Sequence, residues 1–87
     1  MPGGEQALAG VTVRYWAGAR AAAGVDEDAF VDCPTVASAT AAIVARHPTL
    51  EPIVAVSTVL LDGRVVTPQT ALVPGAVLEV LPPFAGG

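Results

Sequence analysis

The chain has 87 residues and 8.7 kDa, room for one small domain with a modest core and no deep enclosed cavity. Ala and Val supply most of the 53% hydrophobic content, and only Tyr15, Trp16, Phe30 and Phe84 are aromatic. Four Arg, no Lys and eight acidic residues give a net charge of −4, which argues against nucleic acid and anionic membrane surfaces as partners, since both are held by clustered cations.

Residues 1–9 carry no positive charge and no long apolar run, so they are expected to be a flexible lead-in rather than a secretory signal. From Val11 to Trp16 the chain alternates: Val11, Val13 and Tyr15 fall on one face, Thr12, Arg14 and Trp16 on the other. That period predicts a half-buried strand. Residues 17–24 read as a loop with one helical turn, closed by Gly24 in a left-handed conformation. Asp26-Glu27-Asp28 reads as a solvated turn, and residues 29–32 as a short return strand.

Thr35 is placed to cap a helix over residues 36–46, with Val36, Ala39, Thr40 and Ile43 on one stripe and Pro48 as its stop. Residues 53–61 are rich in β-branched side chains and predict a strand. Asp62-Gly63 predicts a two-residue hairpin turn, and residues 64–67 the returning strand. The last strand covers residues 76–81, with Leu78 and Val80 inward and Val77, Glu79 and Leu81 outward, and Pro82-Pro83 ends it. The order is β-β-α-β-β-β around one main helix, an α+β domain. The mainly apolar stretch 52–61 is only ten residues long, short of the roughly 18–20 that a membrane span needs. The expected location is therefore cytoplasmic.

The chain closes on Pro82-Pro-Phe-Ala-Gly-Gly87. Diproline is semi-rigid, and six extended residues reach roughly 20 Å. Gly86 and Gly87 have no side chain and could enter a channel only as wide as the backbone. The expected organisation is a lead-in at 1–9, a folded domain at 10–82 and a flexible delivery tail at 83–87 that presents a carboxylate to another protein's active site.

These features together resemble the small subunit of molybdopterin synthase (MoaD), within the MoaD/ThiS sulfur carriers. The likeness rests on residues 11–20, the helix opening Pro34-Thr-Val36, the Leu61-Asp-Gly63 hairpin, the loop glycine Gly75 and the Leu81-to-Gly87 end. The resemblance implies a ubiquitin-like β-grasp fold with a mixed sheet. It also implies a carrier that is not itself an enzyme. An E1-like adenylating enzyme consumes ATP to activate the Gly87 carboxylate, and a sulfur donor protein supplies sulfur to form a thiocarboxylate. A large catalytic subunit then uses this for pyranopterin sulfuration in molybdenum cofactor synthesis. No cofactor is expected to be bound. Positions matching Trp16, Val65 and Leu81 face the partners in that family, and Phe84 is placed with them, ahead of Gly86. The chain departs from the pattern in having Ala76-Val77 after Gly75 where an acidic pair is common. It also has Asp62 in place of a frequent Asn, and Ala39 and Thr40 at helix positions held by Leu.

Two other readings stay open. One is a related carrier feeding thiazole, cysteine or a secondary metabolite. The other is a protein modifier joined through Gly87 to lysines. Having no Lys of its own, such a modifier could not build lysine-linked chains on itself. The remaining candidates read as structural. His47 is a lone histidine at a helix end, and Cys33 is a lone cysteine at a strand-to-helix junction. With one of each, neither a disulfide framework nor a Cys/His zinc site can form. Asp26 to Asp28 lacks the alternating ligands of a calcium loop. Trp16, Val77 and Leu81 are expected to form an exposed apolar patch on the sheet, with an Arg14–Glu79 ion pair on the same face.

Overall fold

The structure is a computed structural model and describes residues 10–83. The lead-in at 1–9 and the tail residues Phe84, Gly86 and Gly87 lie outside the described residues. Strand β1 (Val11–Tyr15) follows its alternation, burying Val11, Val13 and Tyr15. Helix α1 (Ala17–Ala23) is two turns rather than one, and Gly24 closes it at φ 78°, where a Cβ would be strained. Strand β2 (Glu27–Phe30) then runs antiparallel to β1.

The acidic turn expected at 26–28 is therefore mostly strand, and the return strand lies two residues earlier than 29–32. Register explains the shift. Asp28 stands opposite Val13 and Phe30 opposite Val11, so both point to the core side. Asp28 survives there because it is fully partnered. Its Oδ2 accepts from the Tyr15 hydroxyl at 2.9 Å and lies 2.6 Å from His47 Nε2, and Oδ1 is 3.2 Å from Arg46 Nη1. Arg46 also stacks 4.1 Å from the Phe30 ring centroid and donates to the Ala29 carbonyl.

Helix α2 (Val36–Arg46) begins as its sequence predicts. The Ser38 N–H donates to Thr35 Oγ1 at 3.2 Å, and the Thr35 N–H donates back to Ser38 Oγ at 3.0 Å. This reciprocal cap satisfies two otherwise orphaned donors. Val36, Ala39 and Ile43 are buried; Thr40 is only partly so, its hydroxyl turned to the Ala37 carbonyl. After Pro48 a 3₁₀ turn (Pro48–Leu50) sinks Leu50 into the core and leads straight into helix α3 (Glu51–Val56).

Residues 53–56 are thus helix, not the start of a strand. Pro52 sits in the first turn, where its missing N–H costs nothing. Ile53 and Val54 pack on the core, and Ser57 ties itself to the Ile53 carbonyl at 2.6 Å. Burial outweighs a β propensity that spans only about 1 kcal/mol. Strand β3 (Thr58–Leu61) pairs with β4 (Arg64–Val65), shorter than the expected 64–67, through Asp62 and Gly63 at φ 48° and 87°. Strand β5 (Val77–Leu81) closes the sheet, with Leu78 and Val80 fully buried.

The sheet order is β2-β1-β5-β3-β4, with β5 central and parallel to β1. The buried helical residues Ala19, Val36, Ala39, Ile43 and Leu50 meet the sheet's Val13, Tyr15, Leu78 and Val80 in one core. Ala19 and Ala39 at the contact let the helices lie close to the sheet, so modest side chains suffice to fill it. Each buried Leu, Ile or Val contributes roughly 1.5–3 kcal/mol.

The Asp28 cluster yields the first prediction. Burial pushes the Asp28 carboxyl up, but hydrogen bonds from His47, Tyr15 and Arg46 outweigh it and hold the group below its ordinary value. The unfolded chain therefore takes up the proton first as pH falls. Stability from this carboxylate is complete above the ordinary value of about 4 and is lost as pH drops through the lower folded value. Asp28→Asn should cost about 1–3 kcal/mol at pH 7. Urea midpoints measured from pH 7 to pH 3 should show a shallower acid loss in the variant than in the wild type.

Candidate functional site

With the described helices on one side, the opposite face of the sheet is left open. Register arranges that face in rows. Glu27, Arg14, Glu79, Leu60 and Val65 form one, as successive partners across β2, β1, β5, β3 and β4. Trp16 extends the β1–β5 ladder by one residue, its backbone N–H donating to the Val80 carbonyl at 3.2 Å, which places it beside Leu81. Thr58 stands opposite Leu81 on the other side. Ala17 turns the chain away at φ 48°, a left-handed conformation uncommon for alanine, directly after the indole.

Trp16 is 39% exposed and held on two sides. Its Nε1 donates to Glu79 Oε2 at 3.1 Å, and the Arg14 guanidinium lies 5.4 Å from its ring centroid. These contacts fix the ring as an oriented platform rather than a loose side chain. The expected Arg14–Glu79 ion pair is not formed. Arg14 leans the other way, its Nε 3.9 Å from Glu27 Oε1, while Glu79 turns to the indole N–H. An uncharged donor wins because the flat indole brings it within hydrogen-bond reach, and Glu27 offers Arg14 a second carboxylate.

Of the partner-facing residues expected from sequence, Trp16, Val65 and Leu81 share this face, and Val65 is 73% exposed. Val77 is half-buried on the same side. Phe84, Gly86 and Gly87 lie outside the described residues. Glu79 lies on this face as its alternation predicts, whereas Leu60 was missed as a member of the surface. Alternation restarted at Thr58 would have exposed Leu60, but the continuous strand expected over 53–61 hid that phase. Around the β4 edge, Val65 also borders a cleft of about 410 Å³ lined by Val36, Val54, Val59 and Pro68.

The polar groups away from this face are occupied in holding the fold. Cys33 is buried and donates to the Val31 carbonyl at 3.5 Å. Burial, and then the Asp32 charge, push its thiol up, which keeps it out of the nucleophilic thiolate form. His47 is committed to Asp28 and stands edge-on to Tyr15 at 5.8 Å between ring centroids. Among the described residues no group of three His, Cys, Asp or Glu side chains is placed to hold a metal ion. No described helix is long and apolar enough to cross a membrane.

A five-stranded mixed sheet of this order, with its helices on one face, defines a ubiquitin-like β-grasp domain. The sequence matches the ThiS family over residues 13–87, and the chain belongs to that family of ubiquitin-like sulfur carriers. Among solved structures it is similar to SAMP1 from Haloferax volcanii at 28% identity and a TM-score of 0.82, covering 90% of this chain and 99% of that one. A Pyrococcus furiosus protein assigned as molybdopterin converting factor, subunit 1, is 29% identical at a TM-score of 0.77, covering 86% of this chain and 98% of that one. Subunit 1 or 2 in the complex of the molybdopterin-converting factor from Helicobacter pylori shares the fold at 22% identity and a TM-score of 0.68, covering 90% of this chain and 99% of that one. No curated protein sequence matches the chain.

Facing makes a stability prediction. Val65→Ser and Leu81→Ser should melt close to the wild type, because both side chains lie on the open face. Leu78→Ala, on the buried face of the same strand as Leu81, should cost about 2–5 kcal/mol. Thermal and urea unfolding of the three variants checks the assignment; a Leu81→Ser loss as large as that of Leu78→Ala would contradict it.

Proposed function

We propose that this chain is the sulfur-carrying small subunit of a molybdopterin synthase, with the Gly87 carboxylate as the group that is activated. The observation that carries the reading is the ThiS-family match, which runs through Gly86-Gly87. A carboxylate is a poor acyl donor because it has no good leaving group. An E1-like adenylating enzyme supplies one: the Gly87 oxygen attacks the α-phosphorus of ATP, pyrophosphate leaves, and the acyl group is joined to AMP. Hydrosulfide delivered by a sulfur donor protein then attacks the acyl carbon and displaces AMP, and loss of its proton leaves a thiocarboxylate. The thiocarboxylate stays ionised at neutral pH and is a good sulfur nucleophile toward a pyranopterin in the large subunit's site. The chain itself binds no cofactor and carries the reacting group without catalysing its transfer.

Docking of the β-grasp domain holds the tail in place while this occurs. Trp16, Val65 and Leu81, with Phe84 beyond them, are the contacts we assign to the adenylating enzyme and the large subunit. The two-subunit molybdopterin-converting factor of H. pylori supports a partner of this kind. A second reading is favoured by the likeness to the small archaeal modifier protein 1 of H. volcanii. In that reading the same activated carboxylate passes to a lysine amine of a target protein. The family name also keeps a thiazole-directed carrier in view.

Incubation with the adenylating enzyme of the same organism, ATP and a sulfur donor should replace one oxygen by sulfur at Gly87, read by intact and C-terminal peptide mass. A variant extended beyond Gly87 should load none and fold normally. Equal loading of the extended variant would overturn the assignment. The loaded protein should transfer its sulfur to a pyranopterin when the large subunit is added; amide-linked lysine adducts in its place would establish the modifier reading. Trp16→Ser and Leu81→Ser should bind either partner about tenfold or more weakly in calorimetry, as central anchors commonly carry 2 kcal/mol or more.

A further inference from the structure

Glu79 is the middle residue of β5, and β5 is the middle strand of the sheet. Its carboxylate therefore stands at the centre of the open face, with Trp16 beside it, Leu60 opposite it on β3, and Val77 and Leu81 two residues away on its own strand. Among the described residues only one of its oxygens has a donor: the Trp16 indole N–H reaches Oε2 at 3.1 Å. Among the described residues Glu79 forms no ion pair, although Arg14 is its register partner on β1, because Arg14 is turned to Glu27. A half-buried carboxylate with apolar neighbours along its own strand and on β3 is stable while water reaches it. When an apolar partner surface covers the face, that water is lost, and a charge left without a counter-ion opposes docking.

We propose that Glu79 determines partner specificity by receiving a cationic side chain, arginine or lysine, that the partner protein presents at the centre of an otherwise apolar surface. The inference rests on the carrier reading for the identity of that partner and on the geometry of this face for its chemistry. The cation pairs with the free Oε1 while Oε2 keeps the indole oriented. Arginine suits the position well, since its guanidinium is weakly hydrated and stacks on aromatic rings as readily as it pairs with carboxylates. The net charge of −4 on this chain adds a long-range pull toward a basic surface. The same arrangement excludes partners that would meet Glu79 with an acidic or purely apolar group.

Glu79→Gln separates the charge from the shape, because the amide oxygen can still accept from the indole. Binding of wild type, Glu79→Gln and Arg14→Gln to the large subunit and to the adenylating enzyme of the same organism is measured between low and physiological salt. We expect Glu79→Gln to bind about tenfold or more weakly with a flatter salt dependence, and its melting and Trp16 fluorescence to be unchanged. Arg14→Gln should lose less than Glu79→Gln, because Arg14 helps to orient the indole but does not carry the charge that the partner's cation meets. Equal binding of Glu79→Gln overturns the proposal. So does an equal loss in Arg14→Gln with no further loss in the double variant, which would mean that Arg14 swings across to neutralise Glu79. A partner-free measurement accompanies these. Phenylguanidinium should shift the Trp16 indole N–H resonance saturably in the wild type and not in Glu79→Gln, and neutral phenylurea should shift neither. If neither protein binds the wild type, the carrier reading falls, and this titration alone decides the role of Glu79: an indole shift that survives in Glu79→Gln rejects it.

Discussion

The parallel pairing of β1 with β5 is the constraint on which the rest of the structure depends. Parallel neighbours cannot be joined by a hairpin, so the chain between Tyr15 and Val77 must cross over. The helices of that crossing pack on one face of the sheet, and the core forms there. The opposite face is left open by the same pairing. A surface able to receive a partner and a strand leading to the C-terminal tail are thus two consequences of one strand arrangement. They are adjacent because β5 both centres the sheet and runs into the tail.

Small side chains make the arrangement possible in a short chain. Ala19 and Ala39 bring their helices close to the sheet, and the largest fully buried side chains are the aliphatic Ile43, Leu50, Leu78, Val13 and Val80, while the buried aromatics Tyr15 and Phe30 keep slight exposure. Beside β2, where the apolar core thins, the network of Asp28, Tyr15, His47 and Arg46 closes the structure by polar contacts that are mutually satisfied. The largest aromatic, Trp16, is kept out of the core and spent on the open face. Its orientation there comes from Arg14 and Glu79 rather than from burial.

Local signals made much of this visible. Alternation in residues 11–16 and 77–81 assigned the faces of both central strands, and Thr35, Gly24 and Asp62-Gly63 marked turns and a helix start that the structure contains. The reading of residues 53–61 as one strand failed because β-branched composition cannot distinguish a short buried helix from a strand. Pro52 and the burial of Leu50 decided the matter through contacts with elements distant in sequence. The Asp26-to-Asp28 turn failed for the same kind of reason: acidity suggested solvent, whereas His47 and Arg46, nearly twenty residues later, give Asp28 a place inside.

By itself the sequence determined the family, the α+β class, the faces of β1 and β5 and the positions of several turns, because a two-residue period, a cap and a diglycine end are properties of neighbouring residues. The tertiary structure decided which side chains meet. Arg14 is next to Glu79 in register yet pairs with Glu27, Leu60 joins the open face through the phase of β3, and Asp28 becomes a partly buried anchor. Such pairings depend on strand register, on the lengths of the connections and on competition among several partners for one donor. These quantities exist only once segments far apart in the chain have been packed together.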